Sequence, residues 1–236
     1  MSNTIRKQII ENIASYLSNV RRNKAYQTDI GANIYKAKKA QITVPAIIIW
    51  PGVEDSLREY RIDQHSMPLR VDGLKEYGED NPSDISELML GDIIEIMTGN
   101  AWDLTFSSGG TERPEVGDVI TGQDSGAAAI IESWSKSSGE WADGDAAGTF
   151  RIRRKVGTFE NESLDVGANL NLATASGVIT GYTIENLLTD DLADDIIYSA
   201  GGTEEYPDQG QEAVGASASF QIIYRTQTGN PYQQIT

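Results

Sequence analysis

The 236-residue chain contains no cysteine and only one histidine. Without thiols there is no disulfide framework, no thiolate zinc site and no cysteine nucleophile, a usage that fits synthesis in a reducing cytosol. The single histidine, His65, lies in an alternating stretch beside Met67, and no G-x-S-x-G segment accompanies it. It reads as a partly buried, hydrogen-bonded side chain rather than a base. No run approaches the ~18 apolar residues of a membrane helix. The opening MSNTIRKQIIENI reads as an amphipathic helix, not as a signal peptide, so neither insertion nor export is expected.

Positive charge is also scarce. Against 35 Asp and Glu stand 19 Lys and Arg, for a net charge of −16. The imbalance is uneven: residues 1–40 carry +6, 41–103 carry −9, 104–183 carry −5 and 184–236 carry −8. Such a body repels phosphate backbones, which argues against sequence reading of DNA. An acidic surface that DNA slides past without sticking remains compatible.

Two segments are patterned as helices. Ile5, Ile9, Ile10, Ile13, Tyr16, Leu17 and Val20 recur at helical spacing. A second helix is expected from about Pro82, with Asp84 and Glu87 spaced as a capping box, an apolar side of Ile85, Leu88, Met89, Ile93, Ile96 and Met97, and Gly99 as its stop. The run Ile47–Ile49 reads as a buried strand. Residues 65–72 alternate, with His65, Met67, Leu69 and Val71 on one face, and Pro68 predicts an edge position or a bulge there. Near the end Ala218, Phe220, Ile222 and Tyr224 alternate again.

Between residues 104 and 183 helical periodicity disappears and short β patterns alternate with glycine turns. Within this block, GDVITGQDSG places Gly117 and Gly122 at the spacing of a phosphate-cradling loop, but Gln123 and Asp124 stand where that loop has Lys and Ser/Thr. With no lysine, no buried strand before it and no long helix after it, the stretch reads as a turn between two short strands. In GTFRIRRKVG, Thr149, Arg151, Arg153 and Lys155 are expected on one solvated face, opposite Phe150, Ile152, Arg154 and Val156. The cluster Asp190, Asp191, Asp194 and Asp195 puts Asp191 and Asp195 on one face if helical; it lacks the Gly and Glu positions of a calcium loop and reads as a solvated acidic turn. No catalytic residue, cofactor or metal is expected.

Five segments, IRKQIIENIASYL, YQTDIGANIYKAKKAQITVPAIIIW, MPLRVDGL, SDISELMLGDIIEIM and FQIIYRTQTGNPY, resemble in that order the tail terminator (tail completion) proteins of lambda-type long-tailed bacteriophages. The resemblance covers residues 1–103 and 184–236. It implies an α+β fold, a mixed or antiparallel sheet with two helices packed mainly on one side, into which residues 104–183 insert an all-β domain. It implies a hexameric ring that terminates the tail tube, meets tube protein and a head-completion or neck protein, and lets genomic DNA through its lumen. The location implied is the head–tail interface of the virion, after assembly in host cytoplasm, with no membrane partner. A head-to-tail connector of similar fold stays open. So does a carbohydrate-binding tail module, for which Trp102, Trp134 and Trp141 would be exposed stacking platforms. For the ring, the basic residues Arg21, Arg22, Lys24, Lys36, Lys38 and Lys39 are candidate contacts to Glu76, Glu79 and Asp80 of a neighbour.

Overall fold

The computed structural model describes residues 3–37, 42–76, 78, 80–110, 112–167, 169–205 and 213–235. The chain is mixed α+β and divides into two compact units, Met1–Arg22 with Tyr26–Thr98 and Ile184–Thr236, and Asn23–Ala25 with Gly99–Thr183.

In the first unit the N-terminal isoleucines form helix α1 (Ile5–Leu17), with Ile5, Ile9, Ile10, Ile13 and Leu17 all buried. Thr4 caps it by accepting the Lys7 amide at 3.2 Å, one of the donors a helix start leaves orphaned. The helix ends a turn before the apolar stripe does, and Val20 is buried from the segment that follows. Helix α2 (Pro82–Thr98) begins at a proline, whose fixed φ and missing N–H suit the first helical position. Asn81 therefore caps it, accepting the Ser83 amide at 3.1 Å, and Asp84 and Glu87 fall inside the helix instead of forming its cap. Leu88, expected on the apolar side, is 43% exposed, while Ile85, Met89, Ile93, Ile96 and Met97 are buried.

Both helices and the short α3 (Ile184–Thr189) share one core with a seven-stranded sheet. Its main path runs β1 (Ile34–Lys36), β2 (Ala46–Pro51), β4 (Ile62–Glu76), β12 (Ala213–Gln227), β11 (Asp195–Glu205). Strands β3 (Asp55–Glu59) and β13 (Asn230–Gln234) add to β4 and β12. Among the described residues only the β1–β2 pair of this sheet is parallel. Met67, Leu69 and Val71 of β4 alternate inward beside Ala218, Phe220, Ile222 and Tyr224 of β12, and all are at most 2% exposed. Gly73 lies under α2, where an added Cβ would sit 3.2 Å from Ile93 Cδ1 and 3.0 Å from Ile30 Cδ1.

Pro68 occupies an interior strand, neither an edge nor a bulge. Its β12 register is unbroken, and on its other side β4 passes from pairing with β2 at Leu69 to pairing with β3 at Ser66. Its carbonyl accepts the Gly52 amide at 2.7 Å, and its missing N–H falls in the gap between the two partner strands.

The second unit is a closed six-stranded barrel in the order β10-β5-β8-β7-β6-β9. The strands are β5 (Ala101–Gly109), β6 (Val119–Gly122), β7 (Ala128–Ser138), β8 (Ala146–Val156), β9 (Ser163–Val166) and β10 (Asn169–Tyr182). Closure gives every barrel strand a partner on both sides. Phe150 stacks on Phe106 at 4.1 Å in its core, with Trp141 5.4 Å from Phe106. The expected basic face of β8 holds only to Arg151. Register shifts against β7 and a left-handed Arg154 (φ 51°) turn the strand, so Arg153 is buried and Arg154 and Val156 are exposed.

The barrel's first and last strands pair with each other, Ala101 opposite Tyr182, so its chain ends are neighbours. Replacing Gly99–Thr183 with a short Gly-Ser linker is expected to leave a soluble sheet unit with one cooperative thermal transition. Insoluble or non-cooperatively melting protein would contradict this.

Candidate functional site

The Gly117–Gly126 stretch carries strand β6 (Val119–Gly122) and most of its turn into β7, with Gly117 before the strand and Gly126 in the turn both in the left-handed region (φ 98° and 66°) that glycine tolerates. It does gather amides around an anion, and that anion belongs to the protein. The Glu162 carboxylate accepts from Asp124 N at 2.7 Å, Ser125 N at 2.8 Å, Ser125 Oγ at 2.5 Å and Glu160 N at 2.9 Å. Any side chain at Gly122 would run into that carboxylate, which explains the glycine. Burial of Glu162 opposes its ionisation, but the converging donors outweigh it and hold the pKa down to about 2 from an ordinary 4.5. The cradle is filled from within, and an external phosphate would have to displace this carboxylate.

A second polar cluster lies on the barrel strands. Arg151 makes a two-pronged ion pair with Asp103, and Tyr182 donates its hydroxyl to Asp103 at 2.9 Å. The guanidinium also covers the Tyr182 ring at 4.4 Å. Hydrogen bonding to Asp103 raises the pKa of both Arg151 and Tyr182. Burial raises that of Glu132, against the pull of Arg151 and Lys24. Asp103 and Arg151 line a cleft of about 370 Å³ with Ser133, Trp134, Ser135 and Thr149. The three tryptophans are not a set of exposed platforms: Trp141 is buried, while Trp102 and Trp134 pack partly against the barrel core. Lys155 lies over the Trp102 ring and Arg113 over the Trp134 ring.

In the first unit His65 is half-buried, as its setting implied. It stacks on Tyr224 at 4.7 Å, and its Nε2 lies 2.9 Å from Thr226 Oγ1. Glu54 links this pair to α1, accepting from Tyr224 at 2.6 Å and meeting Arg6 at 3.1 Å. Burial, then the Glu54 hydrogen bond, pushes the Tyr224 phenol far up, so it stays protonated. Two carboxylates that spacing did not single out are buried and serve as anchors. Asp92 accepts both amides and the hydroxyl of the Gln27–Thr28 segment, at 2.6–3.0 Å. Asp72 accepts from Trp50, Arg70 and Ser217 at 2.7–2.9 Å.

The acidic cluster is not helical. Helix α3 ends at Thr189, Asp190 and Asp191 adopt left-handed φ of 57° and 59°, and β11 starts at Asp195. Asp194 pairs two-pronged with Arg225. Among the described residues no three His, Cys, Asp or Glu side chains are arranged to hold a metal.

The candidate ring contacts are dispersed. Arg21 and Arg22 donate to carbonyls of Ser18 and Gln27 close in sequence, and Arg22 lies 3.7 Å from Asp29. Lys24 belongs to the barrel unit, where its carbonyl accepts from Arg153. Lys36, Glu76 and Asp80 are exposed, Lys36 ending β1 and Glu76 ending β4. Lys38, Lys39 and Glu79 lie outside the described residues. Comparison with protein-family models and with curated proteins finds no match to this chain.

The lowered Glu162 pKa stabilises the fold above about pH 4.5, and that contribution is lost as pH falls towards 2. Glu162→Gln is expected to cost on the order of 2 kcal/mol at pH 7 in urea unfolding. The gap between the two proteins should narrow steadily below pH 4.5. An undiminished gap at pH 2.5 would contradict the assignment.

Proposed function

We propose that this chain is a structural protein of a bacteriophage virion, a tail terminator that closes the tail tube as a hexameric ring. Tube protein meets one side of the ring, a head-completion or neck protein meets the other, and genomic DNA passes through the lumen. In this reading the barrel is a domain inserted between α2 and α3 of the terminator fold. The ring sits at the head–tail interface of the virion and is assembled in host cytoplasm.

The observation that carries the reading is the form of the sheet. Its main path ends in β1 on one side and β11 on the other, two strands of different length, direction and composition. A closed ring of identical subunits needs heterologous contacts, in which one surface meets a different one on the next copy. A subunit with two dissimilar sheet edges supplies that pair. The one-sided packing of helices supports the reading, since it leaves the second sheet face to other uses. The net charge of −16 supports it as well, because an acidic lumen wall does not retain DNA.

Tail tube protein polymerised alone is expected to give tubes of unlimited length. Adding this chain should stop growth and leave a ring at one tube end in electron micrographs. Undiminished growth with no end-bound ring would overturn the proposal.

A further inference from the structure

We infer that the ring contact is strand pairing, with the open edge of β11 in one copy laid antiparallel on β1 of the next. The inference deepens the ring reading and can fail separately from it.

Strand β11 hydrogen-bonds to β12 alone among the described strands, so its outer row of amides and carbonyls faces outward. Natural edge strands are guarded by lysine, proline or inward charges. Asp195–Glu205 contains no Lys, Arg or Pro. It presents Ile197 and Tyr198, 47% and 38% exposed, on its two faces. Ile197 lies opposite Gln221 on the open face, and Tyr198 lies opposite Phe220 on the helix side. Its one irregularity, a register shift between Tyr198 and Ala200, divides it into two regular sections, Asp195–Tyr198 and Ala200–Glu205. Strand β1, Ile34–Lys36, is close in length to the first of these sections.

Direction agrees. Strand β1 runs parallel to β2, and each later step along the path to β11 is antiparallel, so β1 and β11 of one subunit run in opposite directions. A neighbour related by rotation about an axis along the strands therefore offers β1 antiparallel to β11, the more favourable pairing.

Charge agrees too. Beside β1, Lys36 joins Arg6, Lys7, Thr4, Ile10 and Glu11 around a cleft of about 360 Å³. Lys36 is exposed, with no partner among the described residues. At the β11 edge Asp195, which opens the strand, is exposed. Opposite charge on the two edges favours β1 against β11 and disfavours like edges meeting.

The absence of native cysteine makes the test direct. Tyr35→Cys and Ile197→Cys, which lie on the same open face of the sheet and are made singly and together, are treated with a short bis-maleimide. The double variant is expected to give a ladder that stops at a closed ring, and an equimolar mixture of the two single variants should give dimers. Each single variant alone, and a Leu57→Cys/Ile197→Cys control on exposed β3, should stay uncrosslinked. Ile197→Cys dimers alone would mean like edges meet, and no ladder from a chain that runs at ring mass would place the contact elsewhere; either overturns the pairing. A ladder without end would keep the pairing and overturn the closed ring.

Discussion

The first unit depends on one ladder. Strand β4 pairs with β12 at every position from Ile62 to Glu76, joining the N-terminal half of the chain to its end. On the side away from the helices Asp72 fastens this seam, accepting from Trp50 of β2, from Arg70 of its own strand and from Ser217, 145 residues away on β12. A fully buried carboxylate is costly unless its hydrogen bonds are satisfied, so this cluster holds one arrangement of three strands and resists others. On the helical side the same residues carry the alternating core of Met67, Leu69, Val71, Phe220 and Ile222. Because β4 and β12 are central, the path ends elsewhere, in the dissimilar strands β1 and β11.

The second unit is self-contained. The cost of closing a loop grows only slowly with its length, and a folded segment with adjacent ends adds less still. The barrel closes on itself and fills its own core. Its loop carboxylate, Glu162, is held by local amides and the Ser125 hydroxyl. That local arrangement accounts for the missing lysine in a turn that otherwise resembles a phosphate loop.

Much of the first unit was legible because its signals are periodic. The isoleucines of α1 and the alternation in β4 and β12 mark their buried faces directly. Context-dependent features were not legible. Pro68 signals an edge, and it takes the handover between β2 and β3 to make it harmless in an interior strand. Asp92 interrupts an apolar helix face with nothing in the spacing to show that Thr28 waits opposite. In the barrel, a bulge and one left-handed residue inverted the expected faces of β8 after Arg151, since alternation assumes an unbroken register. Glu162 stands 37 residues from Ser125, beyond any local pattern. The dispersal of the basic residues shows the limit of charge counting: +6 over residues 1–40 is a property of sequence, and the fold spreads it over both units.

The central claim is that identical subunits close into a six-membered ring through unlike edges. Native mass spectrometry of the full chain, alone and with tail tube protein, tests it most directly. The account predicts a species of six chains of 25.7 kDa, about 154 kDa, in at least one of the two conditions. A chain that stays at 25.7 kDa in both would contradict it.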